Sequence, residues 1–127
     1  MNIKIPISPG ELVDKVSILK IKSERIKDPV KLKNVRYELR ILSELMKEKL
    51  LLTFDDYMFT SLYMVNLEIW DIEDKIRMKE RDKVFDSEFI RLARSVYITN
   101  DKRATIKKCL DVTSKSKIGE EKSYEKY

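Results

Sequence analysis

Apolar residues recur at helical spacing along most of this chain. The clearest stripe runs in alternating steps of four and three and consists of Met58, Leu62, Val65, Ile69, Ile72 and Ile76. This spacing places the side chains on one face of a helix and is typical of a seam between packed helices. Phe59, Tyr63 and Trp70 widen the stripe, which predicts that this third helix contacts more than one neighbour.

Helix-start signals divide the chain into four segments. Residues 8–11 read Ser-Pro-Gly-Glu, a capping-box arrangement that predicts the start of helix one. The proline in Asp28-Pro29 disfavours helical geometry at Asp28 and permits a new helix to start at once, so almost no loop is expected between helices one and two. Thr53 is the predicted cap of helix three, and Asp86 is the predicted cap of helix four.

The apolar rhythm of helix four ends after Val112, so we expect a helical domain at residues 1–112 and a charged tail at residues 113–127. The pattern predicts an all-α protein, an antiparallel bundle of about four helices with the long third helix at its centre and the fourth packed on it. The alternating isoleucines of residues 3–7 suit a short extended segment on the core.

Composition removes most familiar active sites. The 127 residues contain no His, one Cys and two Gly, which excludes a His-based triad, a zinc site of Cys and His, and a glycine-rich phosphate loop. What remains is metal-assisted chemistry on Asp and Glu, Lys or Tyr as a base, or Cys109 as a lone thiol. One cysteine forms no intramolecular disulfide, and no apolar run has the length of a signal peptide or a membrane span. We therefore expect a cytoplasmic protein without membrane contact.

The net charge of +5 is unevenly distributed along the chain. Residues 1–53 carry 12 basic and 7 acidic side chains, residues 54–88 carry 5 and 10, and residues 89–127 carry 10 and 5. The three segments therefore have net charges of +5, −5 and +5. An acidic middle between basic ends favours charges paired between neighbouring helices or subunits over a single basic face for nucleic acid.

Polar residues interrupt the stripes of the third and fourth helices. Those that we single out are Asp71 and Asp74 on helix three and Arg94, Asn100, Asp101 and Arg103 on helix four. Because buried charge is costly unless it is paired, we expect the aspartates of helix three to meet the arginines of helix four. Three interpretations stay open: a polar network that fixes helix register, a ligand site built from the same groups, and simple solvent exposure.

A metal site is a weaker alternative. Glu11 and Asp14, like Glu68 and Asp71, lie one turn apart on a helix. Two such helices facing each other can hold Mg²⁺ for phosphate chemistry, as in all-helical nucleotide pyrophosphohydrolases. The enzymatic alternative is therefore a Mg-dependent nucleotide phosphohydrolase. In a chain with 39% charged residues, however, acidic pairs at this spacing arise by chance, and Glu11 is already assigned to capping.

Weak binding to nucleic acid is a second alternative. Helices one and two carry basic residues that could form an outer surface, namely Lys20, Lys22, Lys27, Lys31, Lys33, Arg36 and Arg40. Such residues can follow phosphates, but exposed lysines on amphipathic helices are ordinarily a solvated face, and no stacking aromatics are interleaved with these. We therefore do not expect nucleic acid as the main partner.

Four segments stand in a distinctive order along the chain. They are residues 7–15 (Ile-Ser-Pro-Gly-Glu-Leu-Val-Asp-Lys), 69–74 (Ile-Trp-Asp-Ile-Glu-Asp), 92–97 (Leu-Ala-Arg-Ser-Val-Tyr) with Asn100-Asp101, and 120–124 (Glu-Glu-Lys-Ser-Tyr). Together they resemble a family of small uncharacterised bacterial and phage proteins, described as a domain of unknown function. The resemblance implies no reaction, cofactor or ligand. It adds Asp14 and Lys15 to the candidate residues, and it includes a tail that core packing does not require.

The sequence thus predicts a non-catalytic helical interaction or assembly module rather than an enzyme. Its candidate polar network or ligand site comprises Asp14, Lys15, Asp71, Asp74, Arg94, Asn100, Asp101 and Arg103. Apolar residues on more than one seam of the third helix favour a homodimer. A further protein partner is not identified, and no cofactor is expected unless the Mg²⁺ alternative holds.

Overall fold

Four α-helices make up the protein in a computed structural model that describes residues 1–115 and 121–127. They are α1 (Pro9–Arg25), α2 (Pro29–Leu50), α3 (Tyr57–Arg81) and α4 (Ser87–Thr113). The described residues contain no β-strand. The prediction of an all-α bundle of about four helices is therefore confirmed.

Side-chain caps start three of the helices where the sequence predicts them. The Ser8 hydroxyl accepts a hydrogen bond from the Glu11 amide at 3.2 Å. Asp28 accepts from two amides at the start of α2, at 2.9 and 3.1 Å, and Asp86 accepts from the Phe89 amide at 2.9 Å. These bonds satisfy N–H groups that have no partner within the helix, and only three residues separate α1 from α2.

The start of α3 differs from the prediction. Asp56, not Thr53, is its N-cap residue, and α3 begins at Tyr57. The Asp56 carboxylate faces backwards and accepts hydrogen bonds from the Thr53 amide at 2.6 Å and the Thr53 hydroxyl at 3.2 Å. Thr53 therefore acts as a donor to Asp56, and the Asp56 side chain makes no hydrogen bond to the first amides of α3.

The apolar side chains of Leu19, Ile21, Ile72 and Leu92 are buried. A cluster of further buried side chains lies at one end of the bundle and comprises Leu12, Val13, Val16, Met46, Phe59, Leu62 and Leu110. They come from the first half of α1, the end of α2, the beginning of α3 and the end of α4. Consecutive helices therefore run in opposite directions, so the antiparallel arrangement is confirmed.

The central helix is α1, not the long α3 that the sequence predicts. Helix α1 packs on each of the other three helices, and α3 also packs on α4 as expected. Among the described residues, the backbone of α2 approaches only α1. The contact of α1 with α4 depends on a small residue, since a Cβ at Gly10 would lie 2.4 Å from the Lys107 carbonyl oxygen. Apolar stripe length shows how much of a helix can be buried, not how many neighbours it has.

Both ends of the chain lie outside the core. The isoleucines at positions 3, 5 and 7 are exposed, so the expected packing of this segment on the core is wrong. The predicted tail at residues 113–127 falls partly on residues 116–120, which lie outside the described residues. Residues 121–127 contact α4, where the Tyr127 and Tyr97 ring centroids are 5.4 Å apart. Within the described ranges, no helix is both long and apolar enough to cross a membrane.

Candidate functional site

A buried carboxylate, that of Asp14, lies where α1 meets α3 and α4. Only 2% of its surface is exposed, because α1 packs on each of the other three helices. Three side chains surround it: Arg103 and Lys107 from α4 and Asn66 from α3. A buried charge of this kind is costly unless it is paired and hydrogen-bonded, and here both conditions are met.

Arg103 binds the Asp14 carboxylate through two hydrogen bonds. Its Nε donates to Oδ1 at 2.9 Å, and its Nη2 donates to Oδ2 at 2.5 Å. This fork geometry gives a carboxylate a stronger and more directional partner than a single ammonium contact does. The Arg103 side chain is partly exposed, whereas that of Asp14 is buried. The guanidinium therefore connects a buried anion to the surface of the bundle.

Lys107 lies one helical turn after Arg103 and is 7% exposed. Its ammonium donates to Glu11 Oε1 at 2.8 Å and lies 3.9 Å from Asp14 Oδ2. Next to it, the Gly10 amide donates to Asp111 Oδ1 at 2.7 Å. Ionic and backbone contacts thus hold the first turn of α1 against the last turns of α4. At the same place, the absence of a side chain at Gly10 permits the two helices to approach closely.

The third side of the network comes from α3. The Asn66 amide group donates to Asp14 Oδ1 at 2.9 Å and to the Ser17 hydroxyl at 2.8 Å, and that hydroxyl donates to the Asp14 carbonyl at 2.7 Å. In the described residues, no buried side-chain nitrogen or oxygen lacks a hydrogen-bond partner. A fully satisfied network of this kind fixes the relative register of the three helices that contribute to it.

The predicted site residues do not all come together. Asp71 pairs with Arg25 of α1, Nη1 to Oδ1 at 3.1 Å, on the surface. Lys15 is exposed, and its ammonium lies 3.5 Å from Glu38 Oε1 of α2. Asp74 lines a cleft of about 320 Å³ beside Trp70, and Asn66 and Arg103 from the network around Asp14 line the same cleft. Arg94 is exposed on α4, outside the network around Asp14.

Asn100 and Asp101 face the C-terminal residues rather than Asp14. They line a cleft of about 460 Å³ between α4 and residues 121–127. The Tyr127 hydroxyl donates a hydrogen bond to the Asp101 carboxylate, which raises the pKa of Tyr127, since ionised tyrosine would lose this bond and face a negative charge. Asp101 thus belongs to a second polar region, whereas Asn100 also lines a recess with Arg103 and Lys107 of the network around Asp14.

The four acidic residues of the metal alternative are not grouped around one point. Glu11 binds Lys107, Asp14 binds Arg103, and Asp71 binds Arg25, while Glu68 is exposed. Across residues 1–115 and 121–127, no three acidic or cysteine side chains lie together so that they could hold a metal ion. Ammonium and guanidinium groups occupy the carboxylate oxygens that Mg²⁺ would need.

A surface cluster that the sequence analysis did not single out joins α1 to α3. The Tyr63 hydroxyl donates to Glu24 Oε1 at 2.6 Å, and the Lys20 ammonium lies 3.0 Å from Glu24 Oε2. The same ammonium lies over the rings of Tyr63 and Phe54, at 5.3 and 5.4 Å. The tyrosine hydrogen bond, followed by the Lys20 contacts, lowers the pKa of Glu24, and the same hydrogen bond raises the pKa of Tyr63.

Sequence analysis also missed Lys107 and Ser17 as members of the buried network. A usable signal for Lys107 was its spacing, four residues after Arg103 and three before the core residue Leu110. That spacing places Lys107 on the buried face of α4. Its burial nevertheless depends on Glu11, which lies 96 positions away in the sequence. A serine in an otherwise apolar α1 stripe gives a weaker signal, because serine is tolerated on either face of a helix.

Comparison with known proteins identifies a family but no activity. A family described as "Family of unknown function (DUF6165)" matches residues 3–127. No curated protein and no solved structure shows significant similarity to the chain.

Proposed function

Since this chain belongs to that family of unknown function, we propose from its geometry that the protein is a non-catalytic helical assembly module, which forms a homodimer through the outer face of α2. The proposal includes a cytoplasmic location, which suits a chain with a single cysteine.

One observation carries the proposal: α2 exposes apolar side chains on the face that points away from α1. Val30 is 72% exposed and Tyr37 61%, and Ile41 and Leu45 continue the row. Steps of seven, four and four place these residues on one side of the helix. Its other side packs on α1, where Met46 is its one buried residue in the described chain. Apolar residues on opposite sides are typical of a helix with two neighbours.

Stability arguments also favour a second neighbour for α2. Helices in proteins gain most of their stability from tertiary packing, and not from intrinsic propensity. With 22 residues, α2 is longer than α1, yet α1 has eight buried residues and α2 has one. Burial of its exposed row in an interface would remove this imbalance, because apolar area taken out of water contributes about 25 cal/mol per Å².

The charges of α2 favour a second copy of the same helix in antiparallel orientation. Its first charged residues, Lys31, Lys33 and Arg36, are all basic, whereas its second half carries Glu38, Glu44 and Glu48 beside Arg40, Lys47 and Lys49. A two-fold axis near residue 39 would place Tyr37 against the partner's Ile41 and Lys33 near the partner's Glu44. A parallel pair would bring the two basic first halves together. The antiparallel pair is isologous, which is the common form of a homodimer interface.

Ion pairs between helices support the non-catalytic part of the proposal. Asp14, Glu11 and Asp71 each bind a basic side chain, so these carboxylates are engaged in holding helices together. No observation on the described residues favours the phosphohydrolase or the nucleic-acid alternative, and both stay predictions from the sequence.

Sedimentation velocity on the full chain at micromolar concentration tests the proposal. We expect twice the chain mass for the natural protein and a shift to monomer for Ile41→Lys, which places a charge in the apolar row. Ile90→Lys is the matched control, since Ile90 is 57% exposed on α4, outside α2. Reducing buffer is needed because Cys109 is exposed. A monomer at all concentrations, or an Ile41→Lys dimer as stable as the natural one, would refute the proposal.

Charge reversal tests the antiparallel register. Lys33→Glu should weaken the dimer by placing two acidic groups together, and the double change Lys33→Glu with Glu44→Lys should restore it. An equally weak dimer in the double variant would contradict the antiparallel pairing while leaving the use of α2 intact.

A further inference from the structure

A cleft of about 320 Å³ lies where α1, α3 and α4 meet. Its apolar wall includes Ile18 of α1 and Ile69 and Trp70 of α3, all of which are half-buried. Side chains that keep part of their apolar surface in water can cover the hydrocarbon part of a ligand. The volume lies at the lower end of the range for small-molecule sites, so a ligand of this cleft is small.

The buried network around Asp14 presents one hydrogen-bond acceptor to this cleft. Asn66 lines the cleft and is 5% exposed, and its Nδ2 donates both of its hydrogens, one to Asp14 and one to Ser17. Because an ionised carboxylate can only accept, the orientation of the amide is fixed. No described residue donates to Asn66 Oδ1, and no buried side-chain oxygen in the described chain lacks a partner. Asn66 Oδ1 is therefore accessible from the cleft.

Asp74 is the second acceptor, and its negative charge is not balanced by the cations that line the cleft. Arg77 Nε lies 3.2 Å from Glu73 Oε2, and Arg103 binds the Asp14 carboxylate. Asp74 forms no hydrogen bond or ion pair with a described residue. Once the two pairs are set aside, the charge of Asp74 remains. The cleft therefore favours a ligand with one positive charge.

The two acceptors lie at opposite ends of an elongated cleft. Asn66 and Asp74 are eight residues apart on α3, which separates their Cα atoms by about 12 Å along the helix axis. Trp70 lies midway between them. Arg103 belongs to the Asn66 end, because both side chains bind Asp14 Oδ1. A positive charge on a ligand is therefore favoured at the Asp74 end and disfavoured at the Asn66 end.

We propose that this cleft binds a small elongated monoamine with a neutral hydrogen-bond donor, such as a hydroxyl group, at its far end. The ammonium pairs with Asp74, the hydroxyl donates to Asn66 Oδ1, and the hydrocarbon between them covers Trp70. A tryptophan ring also attracts a nearby cation. The site gives a role to Asp74 and Trp70, which the network around Asp14 leaves out. It does not use α2, so the proposal is independent of the homodimer.

Tryptophan fluorescence of the full chain tests this inference, because Trp70 is the one tryptophan of the sequence. The probe is linear aminohexanol, with its two polar groups at opposite ends. Hexanediol lacks the charge, hexylamine lacks the hydroxyl, and hexanediamine carries a second charge. We expect aminohexanol to bind about tenfold more tightly than hexanediol and about threefold more tightly than hexylamine, since hydrogen bonds to charged groups are the stronger ones.

Three results would overturn the proposal. The first is the absence of a saturable change in Trp70 fluorescence at millimolar aminohexanol. The second is equal affinity for aminohexanol and hexanediol, which would mean that apolar contact alone accounts for binding. The third is a hexanediamine affinity equal to or higher than that of aminohexanol, because a second ammonium would then be accepted beside Arg103.

One variant locates the binding. Asp74→Asn removes the charge at an exposed position, so it should weaken aminohexanol binding about tenfold and leave hexanediol binding unchanged. Asp55→Asn is the matched control, since Asp55 is exposed and does not line the cleft. Far-UV circular dichroism verifies that both variants are folded. Unchanged aminohexanol affinity in Asp74→Asn would place any binding elsewhere and overturn the inference.

Discussion

The inner face of α1 and the outer face of α2 reverse the usual distribution of polar and apolar residues. On α1, the charged Asp14 is buried and pairs with Arg103. On α2, the apolar Val30 and Tyr37 are exposed to solvent. Both regions lie on regular helices with the expected periodicity. Hence the position of a residue on a helix does not decide its burial; the presence of a neighbouring helix with suitable groups does.

The two regions also bear on function in different ways. Around Asp14, the described polar atoms are satisfied by other parts of the same chain, so this region needs nothing further to be stable. Along α2, the described chain provides α1 as its one neighbouring helix, so the apolar row remains available to a partner. The two regions should therefore contribute very differently to the free energy of unfolding.

The largest decrease in the free energy of unfolding is expected for Asp14→Ala. This change leaves the guanidinium of Arg103 and the ammonium of Lys107 near a space without their shared anion. Breaking a buried pair by removing one partner costs about 3–5 kcal/mol, because the other partner loses its buried counter-ion. Urea denaturation followed by circular dichroism measures the change in the free energy of unfolding.

Asp71→Ala is the matched control for that experiment. Asp71 also binds an arginine, Arg25, but both side chains are close to half exposed, and exposed ion pairs contribute at most about 1 kcal/mol. Asp14→Asn removes the charge and keeps the shape of the side chain, so its loss in the free energy of unfolding should lie between those of Asp14→Ala and Asp71→Ala. Equal losses in the free energy of unfolding for Asp14→Ala and Asp71→Ala would show that burial of the network does not add to stability.

A smaller loss is expected for Gly10→Ala. Alanine improves helix propensity by about 1 kcal/mol, but its Cβ would lie 2.4 Å from the Lys107 carbonyl oxygen and 2.8 Å from Asp111 Oδ1. The start of α1 must then move away from α4, and overpacking of this kind costs about 1–3 kcal/mol. Lys102→Ala, an exposed change on α4, serves as the control in the same urea titration. A Gly10→Ala protein as stable as the natural one would mean that α1 and α4 can move apart to accommodate the methyl group without loss of stability.

Local features of this fold could be predicted from the sequence, because the residues that determine them are adjacent. Residues 8–11 specify the start of α1, Asp28 with Pro29 separates α1 from α2, and Asp86 caps α4. Each signal involves an interaction across no more than three positions. Thr53 is not the cap because its amide and hydroxyl both donate to Asp56, and α3 begins only at Tyr57.

Long-range features could not be predicted in the same way. The partner of Arg103 is Asp14, 89 positions away, and that of Lys107 is Glu11. Many carboxylates at helical spacing could satisfy either cation, and only the packing of α1 against α4 selects among them. The central place of α1 has the same origin, since Gly10 matters only once α4 lies against it. The sequence therefore identified Asp14 and Arg103 as candidates but not as a pair.

The bond between Tyr63 and Glu24 is expected to contribute less than the buried contacts. Tyr63→Phe removes the hydroxyl that donates to Glu24 at 2.6 Å and should cost about 0.5–1 kcal/mol at neutral pH, since the site is partly exposed. The pKa of Glu24 is lowered in the folded protein, so its stabilisation is present above the unfolded pKa and is lost as the pH falls through the folded pKa.

The deficit of Tyr63→Phe should therefore shrink as the pH becomes acidic, and the pKa of Glu24 should rise towards its ordinary value. Carboxyl-detected NMR titration measures that pKa directly, and Tyr57→Phe, at an exposed position on α3, provides the control. An unchanged pKa of Glu24 in Tyr63→Phe would assign the shift to Lys20 instead.

The smallest effect is expected on the outer face of α2. Val30→Ala should change the free energy of unfolding by no more than about 0.5 kcal/mol in the dilute, dissociated protein, because Val30 is largely exposed and alanine favours the helix. Val16→Ala makes the same chemical change at a position with no exposed surface and should cost about 2 kcal/mol or more through lost burial and a cavity. At concentrations where the dimer forms, Val30→Ala should become measurably destabilising, because stability is then coupled to association. If its effect stays the same at every protein concentration, Val30 has no neighbour in solution, and the interface does not extend to the start of α2.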